Sequence, residues 1–175
     1  MAEFKDAIQS MKKIIFLCHG NICRSPMAEY VMKDLLQKAG LSDRYFITSG
    51  AVSTEELGNP IYPPAQQKLR EKDVPFAHHQ AHQISVSEFD DQDLVIVMDR
   101  SNLRLLVNRV SGALEAPIGA DLQYTGLTTK VNLLMSFVGD PRDVADPWYT
   151  GDFEATYQDV LAGCSELLRI LSKNP

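Results

Sequence analysis

Short apolar runs alternate along this chain with segments in which apolar residues recur every three or four positions. Continuous apolar runs of about 4–8 residues are typical of strands that are covered on both faces. The three- and four-residue recurrence is that of helices with one apolar face. The expected strands lie at 13–18, 45–49, 94–98 and 131–137, and the expected helices at 25–40, 63–72, 101–110 and 153–171.

This alternation predicts a single α/β domain, a four-stranded parallel sheet with helices on both faces. In such folds the binding crevice lies at the carboxyl ends of the strands. Cys18, Asp99 and the stretch after Phe137 fall at such ends. The expected domain covers residues 11–175. Residues 1–10 are expected to be an extension outside it. They are not expected to be a signal peptide, since they include acidic residues and lack an apolar core.

The composition and net charge of the chain indicate which kinds of binding partner are not expected. The 175 residues are 45% hydrophobic and 23% charged, which is typical of globular proteins. With 17 basic and 23 acidic residues the formal charge is −6, so nucleic acid and anionic membranes are not expected as partners. No apolar run approaches the roughly 20 residues of a membrane span. Three cysteines are an odd and sparse number, which favours a cytoplasmic location over a disulfide framework.

The main chemical signal is the loop that follows the first expected strand. Ser25 and Pro26 are typical of a helix start, with Ser25 as N-cap and Pro26 in the first helical position. The unpaired N–H groups of a helix N-terminus, together with a loop curled above it, form a concave nest that suits phosphate. Gly20 permits a positive φ in that curl and Asn21 tolerates one. The sequence therefore predicts a phosphate-binding loop after strand 1.

Two residues of this loop carry reactive chemistry. A thiol near a helix N-terminus and a cation ionises readily, so Cys18 is a candidate nucleophile aimed at a bound phosphorus atom. Arg24 offers a planar fork that grips two phosphate oxygens at once. The alternative interpretation is that Cys18 is a packed strand residue and Arg24 a surface cation. The strand, turn and helix signals around them favour the catalytic interpretation.

The residues of this loop and its flanks resemble the low-molecular-weight protein tyrosine phosphatases. The run from Cys18 to Glu29, CHGNICRSPMAE, is similar to their phosphate loop and first helix. Several further motifs match in order, over about residues 12–172. These are Ser49-Gly50, Gly58-Asn59-Pro60, His79-Gln80-Ala81, the run from Met98 to Asn102, and Asp146-Pro147-Trp148-Tyr149.

The resemblance implies a catalytic trio. Cys18 attacks the phosphomonoester and forms a phosphocysteine, Arg24 clamps the phosphate, and Asp146 acts as general acid and then general base. It implies protein or peptide substrates that contain phosphotyrosine, with inorganic phosphate as product. No metal and no cofactor are expected, because the loop and Arg24 supply the positive field. The phosphate-binding residues implied are His19, Gly20, Asn21, Ile22, Cys23, Arg24 and Ser25.

The resemblance also implies supporting and cleft residues. Ser25 is expected to donate a hydrogen bond to the Cys18 sulfur, and Asn21 to shape the loop through Ser49 and His79. The cleft is expected to be formed by His19, Ile22, Glu55, Trp148 and Tyr149.

Two details of the loop's surroundings stay open. Cys23 is either the partner of Cys18 in a reversible disulfide, as the family suggests, or a small buried residue. His78, His79 and His82 form a cluster, but no cysteine or carboxylate pair with ligand spacing accompanies them, so hydrogen-bonding roles are favoured over a metal site. His82 stands where the family usually has arginine.

Three other functions are weighed against tyrosine phosphatase activity. Arsenate reduction on this fold needs further cysteines near the third strand, and beyond the loop only Cys164 occurs. Related phosphatases that hydrolyse phosphoarginine resemble this loop but have a smaller residue at the position of Ile22. A non-catalytic phosphate-binding module would not need Cys18, Arg24 and Asp146 together.

Overall fold

The computed structural model describes residues 11–110 and 130–173, and its centre is a sheet of four parallel strands in the order β2-β1-β3-β4. The predicted four-stranded parallel sheet is confirmed. The strands are β1 (Lys12–Cys18), β2 (Tyr45–Ala51), β3 (Leu94–Val97) and β4 (Val131–Leu133). The expected extension, residues 1–10, lies outside the described residues.

Helices follow the strands and cover the sheet. The described helices are α1 (Arg24–Lys38), α2 (Pro63–Glu71), α3 (Val86–Asp90), α4 (Arg100–Val110), α5 (Pro147–Thr150) and α6 (Phe153–Lys173), with a 3-10 helix at Leu134–Val138. The long helices begin and end within a few residues of their predicted bounds. Helices α3 and α5 were not expected, since each has only four or five residues and is too short for a periodic pattern.

Both faces of the sheet are covered, as predicted. Successive side chains of a strand point to opposite faces, so β1 contributes to two separate cores. Ile14 and Phe16 belong to a cluster with buried residues of α1 and α6. Ile15 and Leu17 belong to a second cluster with buried residues of α3 and α4. A strand that is buried on both sides explains the unbroken apolar run at the start of the domain.

The fourth predicted strand is correct only in its first three residues. Strand β4 ends at Leu133, and the rest of the apolar run forms the 3-10 helix Leu134–Val138. A strand would place these side chains alternately on two faces. The helical turn instead brings Leu134, Met135 and Phe137 into the one core that contains α1 and α6.

The topology brings three chain segments together at one edge of the sheet. Cys18 is the last residue of β1, Asp99 follows β3, and the segment after the 3-10 helix returns to hydrogen-bond the end of β3. Among residues 11–110 and 130–173, no helix combines the length and apolar character that a membrane crossing requires.

Candidate active site

The loop of residues 18–25 joins β1 to α1 and forms the floor of the site. Ser25 was predicted as the N-cap of α1, and this is wrong. The helix begins at Arg24, and Cys23 is its N-cap without a side-chain capping bond. The Ser25 Oγ lies 3.0 Å from the Cys18 Sγ and 3.2 Å from the carbonyl oxygen of Gly50. The hydroxyl thus faces the sulfur instead of capping the helix.

Asn21 fixes the shape of the loop through its side chain. Its Nδ2 donates to the Ser25 Oγ at 2.9 Å and to the Ser49 Oγ at 3.0 Å. Its Oδ1 accepts from the backbone N–H of His82 at 3.3 Å. Asn21 is fully buried and has a φ of 59°, in the left-handed region. The amide therefore ties the loop to both β2 and the segment after α2.

The backbone of Asn21 makes two further contacts. Its N–H donates to the Cys18 Sγ at 3.3 Å. Its carbonyl oxygen lies 2.7 Å from the His79 Nε2. The expected contacts of Asn21 with Ser49 and His79 are both present. Two groups, the Asn21 N–H and the Ser25 hydroxyl, are thus directed at one sulfur at the N-terminus of α1.

Glu29 extends this network, and the sequence interpretation missed it. The Ser49 hydroxyl donates to the Glu29 Oε2 at 2.5 Å, and the Lys33 Nζ donates to the Oε1. Glu29 is 7% exposed, and a buried carboxylate needs such partners. Its place one turn after Ser25 in the matched run was the available signal, since residues four apart share a helix face.

Arg24 is buried between two carboxylates. Its Nη1 donates to the Asp99 Oδ2 at 2.6 Å and to the carbonyl oxygen of Val144 at 3.0 Å. Its Nη2 donates to the Asp146 Oδ2 at 2.8 Å. Burial opposes the charge of Arg24, but Cys18, Asp146 and Asp99 more than offset this, so the pKa of Arg24 is raised. The Cys18 loop, the residue after β3 and the segment that leads to Asp146 therefore meet at this guanidinium.

Asp99 is not among the predicted site residues, although the sequence places it at the carboxyl end of β3. Its Oδ1 accepts from the backbone N–H of Asn102 at 2.6 Å and so caps the start of α4. Its Oδ2 holds Arg24. One carboxylate therefore fixes both a helix start and the guanidinium. The sequence places Asp99 at the right edge of the sheet but does not show which cation it contacts.

The segment that begins at Asp146 forms one wall of the cleft. The Asp146 Oδ1 caps α5 by accepting from the Trp148 N–H at 3.1 Å. Trp148 and Tyr149 are 53% and 85% exposed. The Trp148 ring lies 5.0 Å from that of Tyr62, which the sequence interpretation did not include. Tyr62 also donates its N–H to the carbonyl oxygen of Ile22, so it supports both the wall and the floor.

The opposite wall is polar. The His19 Nε2 lies 3.0 Å from the Glu55 Oε2 at the rim. The Glu56 side chain lies over Gly20, where an added Cβ would come within 3.0 Å of the Glu56 Cγ. Gly20 does not have the positive φ that its place in the loop allows, which Asn21 has instead, and the absence of a Cβ at Gly20 leaves room for the Glu56 side chain. The predicted catalytic and cleft residues line one cleft: Cys18, His19, Gly20, Ile22, Cys23, Arg24, Glu55, Asp146, Trp148 and Tyr149.

Cys23 is buried beside the nucleophile candidate. Burial, and then the nearby Cys18, raise the pKa of the Cys23 thiol. Cys18, Cys23 and Cys164 are free thiols in this structure. Burial alone raises the pKa of Cys164. Of these three thiols, Cys18 is the one whose sulfur accepts from a backbone N–H, that of Asn21, and also lies within hydrogen-bond distance of a hydroxyl, that of Ser25.

Two histidines of the cluster, His79 and His82, make hydrogen bonds through their rings. Burial lowers the pKa of His79, which faces the Asn21 carbonyl. The His82 Nε2 lies 2.9 Å from the Glu88 Oε1, and this bond raises the pKa of His82. Within the described ranges, no three histidine, cysteine or acidic side chains are arranged to hold a metal ion.

The chain is similar to known proteins over nearly its whole length. A family profile described as low molecular weight phosphotyrosine protein phosphatase matches residues 13–175. The low molecular weight protein-tyrosine-phosphatase YfkJ of Bacillus subtilis is 35% identical over 165 residues, which are 93% of this chain and 97% of that protein. The low molecular weight phosphotyrosine protein phosphatase of Mus musculus is 38% identical over 90% of this chain and 94% of its own length.

Solved structures show the same fold. The crystal structure of YfkJ superposes with a TM-score of 0.82, at 35% identity over 94% of this chain and 96% of that chain. The crystal structure of the drosophila arginine phosphatase DARP superposes with a TM-score of 0.78, at 29% identity over 94% of this chain and the whole of that chain.

The His82–Glu88 contact makes stability depend on pH. A histidine whose pKa is raised by folding contributes stability below about pH 6.5 and loses it as the pH rises through the folded value. We expect His82→Gln to lower the free energy of unfolding by roughly 0.5 kcal/mol near pH 6 and by less near pH 9, since the pair is partly exposed. Urea unfolding at both pH values measures this. His78→Gln, at an exposed histidine of the same segment, is the control, and an equal loss at both pH values would contradict the assignment.

Proposed function

This chain belongs to the low molecular weight phosphotyrosine protein phosphatase family, and on that premise we propose the roles of its residues. It is an enzyme of the protein-tyrosine-phosphatase class. The proposed mechanism has two displacements at phosphorus, with Cys18 as nucleophile, Arg24 as phosphate clamp and Asp146 as general acid and base. The observation that carries this proposal is that Arg24 joins the Cys18 loop to Asp146 by direct hydrogen bonding.

In the first displacement the Cys18 thiolate attacks the phosphorus atom of the substrate. The Asn21 N–H donates to the sulfur at 3.3 Å, and the Ser25 Oγ lies 3.0 Å from it, so the sulfur sits among polar groups at the N-terminus of α1. The phosphorus–sulfur bond forms and the phosphorus–oxygen bond to the phenol breaks. Asp146 gives its proton to the departing oxygen, which leaves as a neutral phenol.

Arg24 exchanges one partner when the phosphoryl group binds. Both hydrogens of Nη1 are held by Asp99 and the Val144 carbonyl, so this side of the guanidinium stays anchored. The Nη2 and Nε edge then takes two phosphoryl oxygens, and Asp146 loses its bond to Nη2. Substrate binding therefore frees the Asp146 carboxyl group from Arg24, so that it can face the leaving oxygen.

The second displacement releases the phosphoryl group from Cys18. Asp146, now a carboxylate, takes a proton from a water molecule whose oxygen attacks phosphorus. The phosphorus–sulfur bond breaks, inorganic phosphate leaves, and the Cys18 thiolate is restored. Arg24 and the loop N–H groups hold the equatorial oxygens, over which the charge is spread in both displacements.

The cleft walls favour a flat aromatic substrate. Trp148 and Tyr149 present exposed rings that can stack on a phenyl group, and Ile22 lies in the floor beside Cys18. We therefore propose phosphotyrosine in proteins or peptides as substrate. Phosphoarginine is the second candidate, because DARP, the similar drosophila protein, is an arginine phosphatase.

The nucleophile and the clamp are tested together. We expect Cys18→Ser and Arg24→Ala each to abolish turnover of p-nitrophenyl phosphate and of a phosphotyrosine peptide. Arg24→Lys should still lose at least about 100-fold in kcat, since lysine supplies charge but not a two-point fork. Steady-state assays measure this, with circular dichroism to confirm folding. Substantial activity in Arg24→Lys would show that the clamp acts as a point charge only.

The acid is tested by varying the leaving group. We expect Asp146→Asn to lower kcat/KM by about 100-fold or more for phenyl phosphates whose phenols are weak acids. For strongly acidic phenols the loss should be small, because these leave without a proton. The measurement is kcat/KM across a series of substituted phenyl phosphates. A uniform loss across the series would mean that Asp146 has a structural role and that the acid lies elsewhere.

Substrate choice is tested at Ile22. We expect Ile22→Thr to lower phosphotyrosine activity and to raise phosphoarginine activity, since a smaller side chain admits a guanidinium and loses apolar contact with a ring. Contact changes of this kind are worth roughly 1–3 kcal/mol, or about 10–200-fold in specificity. Both substrates are assayed on the wild type and the variant. A wild type that already prefers phosphoarginine would overturn the substrate assignment but leave the cysteine mechanism intact.

A further inference from the structure

The segment of residues 139–146, here the acid loop, leads to Asp146 and is tied to the sheet on one side. The Val144 N–H donates to the Met98 carbonyl oxygen at the end of β3. The Arg100 side chain of α4 donates to the Asp143 Oδ1 at 3.0 Å. These bonds fix the loop against β3 and α4. They do not fix it against α6, which the chain enters shortly after Asp146.

Arg142 makes the tie to α6. Its Nη1 donates to the Asp159 Oδ2 at 2.8 Å, and its Nη2 donates to the Asp159 Oδ1 at 2.6 Å. Its Nε donates to the Asp140 Oδ2 at 2.9 Å within the loop. The bond to Asp159 raises the pKa of Arg142 further above its ordinary range. Exposed ion pairs usually contribute little, but bidentate and networked pairs are the exception.

The two residues of the Arg142–Asp159 pair lie on either side of Asp146 in the sequence. Arg142 precedes Asp146 and Asp159 follows it, so the pair closes a loop with Asp146 inside. The Thr156 hydroxyl donates to the Ala145 carbonyl oxygen at 3.3 Å and ties the same loop to α6 a second time. Without the pair, this weaker bond would be the remaining described hydrogen bond between the acid loop and α6, beside the packing of Val144 in the core that contains α6.

Given the proposed function, we propose that Arg142, paired with Asp159, is a positioning residue. It holds the Asp146 carboxyl group within hydrogen-bond distance of the oxygen atom that leaves the substrate. None of the contacts of Arg142 reaches the cleft, since its Nε and both Nη atoms face Asp140 and Asp159. It acts on Asp146 through the backbone. A displacement of about 1 Å at a reacting group can cost on the order of 100-fold in rate. Here the cost should fall on proton transfer, because Val144, whose carbonyl oxygen anchors Arg24, keeps its own bond to the Met98 carbonyl oxygen.

The proposal predicts a defect that depends on the leaving group. We expect Arg142→Ala and Asp159→Asn to lower kcat/KM by about tenfold for phenyl phosphates with weakly acidic phenols, and by less than about twofold for strongly acidic ones. Arg142→Lys should be intermediate, since it keeps the charge but not the bidentate geometry. Arg169→Ala, which breaks the Arg169–Glu166 pair on α6, is the matched control. It should change kcat/KM neither for the weakly acidic nor for the strongly acidic phenols.

A double variant separates positioning from general stability. In the Asp146→Asn background, Arg142→Ala should cause no further loss, because the group that it positions is already gone. Equal losses across the leaving-group series, or an additional loss in that background, would overturn the positioning role, and so would wild-type behaviour of Arg142→Ala. If Asp146→Asn itself shows no dependence on the leaving group, the proposed acid fails and this role fails with it. If the loss in Asp146→Asn depends on the leaving group and the loss in Arg142→Ala does not, only the positioning role fails.

Discussion

The left-handed conformation of Asn21 is the constraint on which the site depends. A non-glycine residue with positive φ is costly and persists only where its surroundings over-determine it. Here the side chain is bonded to Ser25, Ser49 and the backbone of His82, while the Asn21 N–H points at Cys18. The same turn that strains the backbone therefore aims a donor at the sulfur. A residue without a side-chain amide could not supply these bonds.

The second constraint is the charge balance around Arg24. A buried cation between Asp99 and Asp146 is satisfied by hydrogen bonds on both sides, which is the condition under which buried charge is tolerated. The two carboxylates are not equivalent, because Asp99 also caps α4 while Asp146 lies at the open cleft. The site thus has one fixed counter-ion and one that can be exchanged. In the proposed mechanism, this asymmetry makes Asp146 the acid.

The sequence is sufficient for the architecture because the strands are buried on both faces and appear as unbroken apolar runs. It fails where tertiary packing decides local structure, as in the run after Leu133, which turns into a 3-10 helix to fill one core. The assignment of Ser25 as a helix cap failed because the helix begins one residue earlier, at Arg24, and the Ser25 hydroxyl lies instead between the Cys18 sulfur and the Gly50 carbonyl oxygen. Contacts between distant segments, such as Arg24 with Asp99, are not encoded in any local pattern.

In the proposed mechanism, Cys18 carries the phosphoryl group between the two displacements. The most direct measurement is to mix the Asp146→Asn variant with p-nitrophenyl phosphate, quench it within milliseconds, and map the modified residue by mass spectrometry. Loss of the base slows hydrolysis of the intermediate, and the good leaving group still allows it to form. Our account predicts phosphate on the Cys18 sulfur. Phosphate on any other residue, or turnover without a phosphoenzyme, would contradict it.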